Sequence, residues 1–231
     1  MTSFALVHGA WHGAWFWEPL AAELEQRGNA AIVVELPSAD RSLGAADYAH
    51  VIVDAIAELD QPPVVVGHSF GGLTIPLVAA RPVRRLIFLS ALIPEPGISL
   101  IEQLEREPEI FSPGFDGAPT RDEQERSLWP DPEQAIRAFY PDCPRDVAEW
   151  AARRLRPQGR LPNIEPCPLA GWPDVPSTYV LARQDVVINP AWSRRAARER
   201  LGVDPIELEG GHSLPLSRPA ELAEALTAEG T

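Results

Sequence analysis

Ser69, Asp185 and His212 are the residue types that together transfer an acyl group: a hydroxyl nucleophile, a carboxylate and an imidazole base. Ser69 lies at the centre of Gly67-His68-Ser69-Phe70-Gly71-Gly72, directly after the apolar run Val64-Val65-Val66. A Gly-x-Ser-x-Gly segment placed where a buried strand hands over to a helix strains the serine backbone and leaves its hydroxyl exposed above the sheet edge. Glycine is needed on both sides because a Cβ there would collide with the neighbouring strand or helix. The helix that follows aims its N-terminal N–H groups at the serine, where negative charge develops during acyl transfer. In a chain with 16 glycines the pattern alone is weak, so its meaning depends on partners elsewhere.

The carboxylate partner follows the β-prone run Thr178-Tyr179-Val180-Leu181-Ala182, which ends in Arg183-Gln184-Asp185. Asp185 thus occupies the loop at the C-terminal end of a late strand, where open α/β sheets place functional groups. Asp174 is a rival acid but precedes that strand. The base follows Pro205-Ile206-Glu207-Leu208, a short last strand, in Glu209-Gly210-Gly211-His212-Ser213. A histidine just past a glycine pair can swing its ring over the sheet edge. The first strand, Phe4-Ala5-Leu6-Val7, runs into His8-Gly9-Ala10-Trp11-His12-Gly13-Ala14-Trp15, a loop able to bring a backbone N–H close to the nucleophile. Oxyanion donors are therefore expected at the N–H of Ala10 and of Phe70, the residue after the serine. His8 and His12 are four apart but fall at a strand end and in a glycine-rich loop, not on one helical face, so they are not expected to hold a metal.

Positioning these groups requires a parallel sheet. Besides the runs already named, Ala31-Ile32-Val33-Val34-Glu35-Leu36 and Leu86-Ile87-Phe88-Leu89 read as strands. Helices are expected over residues 15–27, 44–59, 70–80, 190–200 and 219–228. Near-continuous apolar strands separated by helices indicate an α/β fold, a parallel sheet of about six strands covered on both faces. From Glu95 to Trp172 the chain is rich in proline and charge, with helices expected over 127–140 and 145–156. The expected organisation is a core of 1–94 and 173–231 interrupted by a helical cap, 95–172, that covers the serine, excludes water and shapes the pocket. Trp129, within the cap, is a candidate substrate contact.

Composition narrows the class further. A net charge of −13 argues against a nucleic-acid or anionic-membrane partner. No start of signal-peptide type and no run of bilayer-spanning length is present, so a cytoplasmic protein is expected. Cys143 and Cys167, the only cysteines, are spaced neither as a disulfide framework nor as metal ligands. All 20 basic side chains are arginine, so no ammonium is present to form a Schiff base or act as a general base.

The order Ser69, Asp185, His212 is that of α/β-hydrolases, and the chain resembles that superfamily across essentially its whole length. More narrowly, Val7-His8-Gly9-Ala10-Trp11-His12-Gly13-Ala14-Trp15-Phe16-Trp17 together with the serine motif is similar to the branch holding plant methyl-ester esterases and plant hydroxynitrile lyases. Those lyases carry a lysine immediately after the base histidine to hold cyanide; here that residue is Ser213. Trp11 stands where the plant esterases carry a smaller residue; it either narrows the pocket or packs under the cap, and it is a second candidate substrate contact. The resemblance implies hydrolysis of a small to medium, mostly apolar carboxylic ester, with no metal or organic cofactor, by a monomer or homodimer. The alternatives are a hydroxynitrile or other carbon–carbon lyase on the same scaffold, and a ligand-binding protein that keeps a hydrolase pocket.

Overall fold

The computed structural model describes every residue except Gly114, Asp116, Ala118, Gly230 and Thr231. Its centre is a six-stranded parallel sheet in the order β2-β1-β3-β4-β7-β8. The strands are β1 (Ser3–Val7), β2 (Ala30–Val34), β3 (Val64–His68), β4 (Arg85–Leu89), β7 (Ser177–Ala182) and β8 (Ile206–Leu208). The short strands β5 (Thr120–Arg121) and β6 (Ser127–Leu128) form a separate antiparallel pair. Every residue of β3 is buried, and β1, β4 and β7 are buried beyond their first residue. This two-sided burial is why these strands read as unbroken Val, Leu, Ile and Phe rather than as an alternating pattern.

Helices cover both faces because the chain reverses direction. From β1 it passes through α1 (Glu18–Gln26) to β2, then returns through α2 (Ala45–Ala55) to β3 on the other side of β1. Right-handed crossovers running in opposite directions put α1 and α2 on opposite faces. In agreement, α1 packs with α8 (Leu214–Ser217) and α9 (Pro219–Glu229), whereas α2 packs on the turn Ile75–Ala80 that leads to β4. The reversal places the topological switch between β1 and β3, and the crevice at their C-terminal ends is where such sheets bind ligands.

Two expected elements differ from what forms. Residues 70–80 are not one α-helix but two 3-10 turns, Ser69–Leu73 and Ile75–Ala80, separated at Thr74. Pro76 has no N–H to give a continuous ladder. Residues 127–140 are not helical throughout: Ser127–Leu128 pairs with Thr120–Arg121, and the helix is confined to α4 (Pro132–Phe139). Pro130 and Pro132 bar an earlier start, and the Asp131 carboxylate caps the helix by accepting the Glu133 N–H at 2.9 Å.

The excursion between β4 and β7 also contains α3 (Leu100–Arg106), α5 (Arg145–Ala152) and α6 (Leu161–Ile164). It is tied to the core at the acid-bearing loop. Phe111 and Ile188 form an antiparallel bridge, and the Ser112 N–H donates to the Val187 carbonyl at 2.8 Å. A second tie is Arg200, which reaches the Ile93 carbonyl at 2.7 Å and the carboxylates of Glu95 and Glu107. No helix among the described residues is long and apolar enough to cross a membrane.

Candidate active site

The serine turn is built by close approach. Ser69 has φ +53°, a left-handed conformation that costs energy for a residue with a side chain. A Cβ on Gly67 would stand 2.8 Å from Ile75, and one on Gly71 would stand 2.9 Å from the carbonyls of Val7 and His8. Gly72 is packed under the Leu92 carbonyl, where no Cβ fits. The Ser69 carbonyl is fixed by the Leu92 N–H at 3.0 Å. Strand, turn and the loop after β4 therefore clamp the serine from both sides, which is why the glycines are where they are.

Asp185 lies three residues beyond β7 and is 6% exposed. One carboxylate oxygen accepts the N–H groups of Val187 at 2.7 Å and Ile188 at 3.0 Å. The other accepts from Nδ1 of His212 at 2.8 Å. Nδ1 must carry the proton to donate to a carboxylate, so Nε2 is the unprotonated nitrogen. Ser112 Oγ adds a bond to the Asp185 carbonyl at 2.8 Å. The rival Asp174 is exposed and precedes β7, at the opposite edge of the sheet.

Ser69, His212, Ala10, Phe70 and Trp11 line one cavity of about 110 Å³. That is small beside the roughly 300–1,000 Å³ usual for ligand pockets. Among the described residues neither the Ala10 nor the Phe70 N–H is paired with an acceptor. Trp11 is itself in the left-handed region, at φ +63°. The loop is held there by Arg156, whose backbone N–H donates to the Trp11 carbonyl at 2.8 Å and whose guanidinium donates to the His12 carbonyl at 2.8 Å. Arg156 also pairs with Glu35, which accepts the Ala14 N–H at 2.7 Å. Trp11 Nε1 donates to Ser127 Oγ at 3.0 Å, so its indole presents only apolar surface. Trp129 is not on the cavity wall: it is 7% exposed and packs edge-on to Trp11 at 5.7 Å and to Phe139 at 4.7 Å, supporting the wall from behind.

Three buried histidines support the site, His12 from the cavity lining and His8 and His68 from behind it, and sequence reasoning gave them no role. His68 Nε2 donates to the His212 carbonyl at 2.9 Å, and the two rings stand 4.6 Å apart. His12 Nδ1 donates to the Ala10 carbonyl at 2.8 Å, and its Nε2 accepts the Tyr140 hydroxyl at 2.8 Å. His8 Nδ1 donates to the Gly9 carbonyl at 2.9 Å, and its Nε2 accepts the Leu36 N–H at 3.1 Å. Both ring nitrogens of His8 and His12 are thus committed to hydrogen bonds. Burial pushes His12 down to about 3 and His8 to about 4, and holds His68 well below the usual imidazole range with help from the neighbouring histidines. These rings are neutral spacers that fix the loops carrying Ala10 and His212. The one available signal was position: His68 is the first variable residue of the serine motif and His12 falls in the loop after β1.

A further support comes from the turn after α4. Asp142 accepts the Gly211 N–H at 2.7 Å, immediately before His212, and the Phe139 ring faces His212 at 6.3 Å. A contact 69 residues apart in sequence leaves no local pattern to read. Cys143, next along, is unpaired, as is Cys167; burial raises the Cys143 thiol to about 12.

Comparison with known proteins agrees with this architecture. The model of the alpha/beta hydrolase family matches residues 4–225. A carbendazim hydrolyzing esterase from Nocardioides sp. (strain SG-4G) is 30% identical over 260 residues, covering 100% of both chains. An alpha-hydroxynitrile lyase from Arabidopsis thaliana is 29% identical, covering 99% of this chain and 96% of its own. The solved structure of polyneuridine aldehyde esterase superposes with a TM-score of 0.81 at 23% identity, covering 100% of each chain.

Proposed function

The chain belongs to the alpha/beta hydrolase family, of the methylesterase and hydroxynitrile lyase branch, and on that premise we propose that it is a serine esterase acting on small to medium apolar carboxylic esters. The observation that carries this reading is the 2.8 Å bond from His212 Nδ1 to a fully anchored Asp185, with Ser69 and His212 lining the same cavity. Ser69 Oγ attacks the ester carbonyl while His212 Nε2 takes its proton. His212 then returns that proton to the departing alcohol, and Asp185 holds the tautomer and stabilises the imidazolium. The N–H groups of Ala10 and Phe70 receive the oxyanion; losing one such donor raises the barrier by about 3 kcal/mol. Water enters on the same base and releases the acid. This chemistry calls on no metal or organic cofactor, and a monomer or homodimer suffices for it.

Support comes from relatives named as esterases or hydrolases, among them a pyrethroid hydrolase at 28% identity and a methylesterase from Arabidopsis thaliana at 26%. The lyase relative makes a second reading worth including in the same assay. The absence of lysine and the neutral, fully buried Ser213 after the base leave no ammonium beside His212 for cyanide. The test is a panel of p-nitrophenyl esters from acetate to decanoate, with methyl salicylate and mandelonitrile added. Ester hydrolysis with a short-chain optimum is expected. Cyanide release from mandelonitrile without ester turnover would replace the esterase with the lyase.

A further inference from the structure

The lining of the serine cavity contains a buried amide that the proposed mechanism does not use. Gln158 lines the cavity and is 2% exposed. Its side-chain nitrogen donates at 3.2 Å to the Tyr48 hydroxyl and at 3.2 Å to the Gly159 carbonyl. Both amide hydrogens are therefore spent. Turning the amide over would set its oxygen against the Gly159 carbonyl, acceptor against acceptor, so the orientation is fixed. The backbone is fixed as well, by N–H to carbonyl bonds exchanged with Ser127 at 2.8 and 2.9 Å. What remains is Oε1, an acceptor that no donor among the described residues reaches. Oε1 is not sealed off with the buried unpartnered polar atoms but stays accessible on the cavity lining, where a ligand that supplies a donor gains a hydrogen bond.

Asn163 lines the same cavity and spends one amide hydrogen on the Arg160 carbonyl at 3.3 Å, leaving its second hydrogen and its oxygen. The other polar candidates on this wall are already satisfied, since Ser127 Oγ accepts from Trp11 and Trp11 Nε1 is spent in doing so. The remaining wall near Leu100, Leu104, Phe111 and Val187 is apolar.

We propose that Gln158 is a specificity-determining residue, and that the esters this site prefers carry a hydrogen-bond donor, a hydroxyl or N–H, that binds Gln158 Oε1. A hydroxyl suits this lining, because it can donate to Gln158 and also accept a hydrogen bond. This deepens the esterase reading and rests on it. The contact is made in the ground state and the transition state alike, so it acts on KM and kcat/KM more than on kcat.

The experiment measures kcat/KM for matched pairs that differ by one hydroxyl. Suitable pairs are methyl hexanoate against its 2-hydroxy and 3-hydroxy derivatives, and methyl phenylacetate against methyl 4-hydroxyphenylacetate. The wild type is expected to favour at least one hydroxylated member by roughly tenfold. Gln158→Met, which keeps the length but offers no acceptor, should bring that ratio to about one by slowing the hydroxylated ester alone. Turnover of the deoxy ester reports that the variant is folded. If Gln158→Met does not fold, Tyr48→Phe, which unpins the amide, must lower the ratio instead. Ratios near one in the wild type, or a preference that survives both variants, overturn the proposal while leaving the esterase intact. Failure to hydrolyse any ester overturns both readings together.

Discussion

Lowering the pH from 7 to 5 should destabilise this protein through its buried histidines before any carboxylate is involved. His8 and His12 sit in the fold as neutral rings, pushed by burial to about 4 and about 3. In the unfolded chain they return to the ordinary value near 6.5. The folded value lies below the unfolded one, so below pH 6.5 the unfolded chain binds protons that the folded one refuses. Stability is then full above pH 6.5 and falls as the pH drops, until the folded values are reached. Each such ring contributes a slope of about 1.4 kcal/mol per pH unit, or about 2 kcal/mol between pH 6.5 and 5. His8 and His12 together therefore remove about 4 kcal/mol by pH 5, a large part of a typical stability of about 5–15 kcal/mol. His68, buried and lowered in the same direction, steepens the fall. Carboxylates with depressed values, such as Glu207 at about 2 beside Arg194, begin to lose their contribution only below the ordinary glutamate range. The assay is urea unfolding followed by tryptophan fluorescence at pH 7.5, 6 and 5. His12→Asn keeps a donor for the Ala10 carbonyl but cannot titrate, so it should be weaker at pH 7.5 and lose about 2 kcal/mol less on the way to pH 5. An unfolding free energy that is flat from pH 7.5 to 5, or equal slopes in the two proteins, would refute the reasoning.

Asp142→Ala removes the acceptor that holds the Gly211 N–H and should lower kcat about tenfold with KM little changed, because it loosens His212 and not the substrate. Asp142→Asn, which keeps an acceptor oxygen, should restore most of the rate; equal losses in both variants would reduce Asp142 to a general structural role. Trp11→Gly relieves a left-handed backbone position and opens a cavity of about 110 Å³, so the ratio of decanoate to butyrate turnover should rise at least several-fold. An unchanged chain-length profile would show that Trp11 does not limit the pocket.

Much of this architecture is legible in the chain because the sheet is parallel and buried on both faces. Val64-Val65-Val66 and Leu86-Ile87-Phe88-Leu89 stand out as strands without help from periodicity, and the residues just past their ends fall on one sheet edge. Ser69, Asp185, His212 and Ala10 all follow the C-terminal end of a strand, and the structure places them on that edge. What the sequence hides depends on long-range contacts. Trp129 looks like a cap contact, yet it packs behind Trp11, a neighbour 118 positions earlier, which no local pattern reveals. Gln158 is an ordinary polar residue until Tyr48, 110 residues away, takes its amide hydrogen. The proline-broken stretches mislead in the other direction. Helical spacing over 70–80 and 127–140 survives in the sequence, while Pro76, Pro130 and Pro132 deny the backbone the bonds a continuous α-helix needs.

The central claim is that Ser69 is the nucleophile, and the most direct measurement is the site of covalent labelling by a fluorophosphonate, read by peptide mass spectrometry beside turnover of p-nitrophenyl butyrate. A single adduct on Ser69 is expected, with labelling and turnover both absent in a Ser69→Ala protein that unfolds with a normal transition. Turnover that persists in purified Ser69→Ala, or an adduct on another residue, would contradict it.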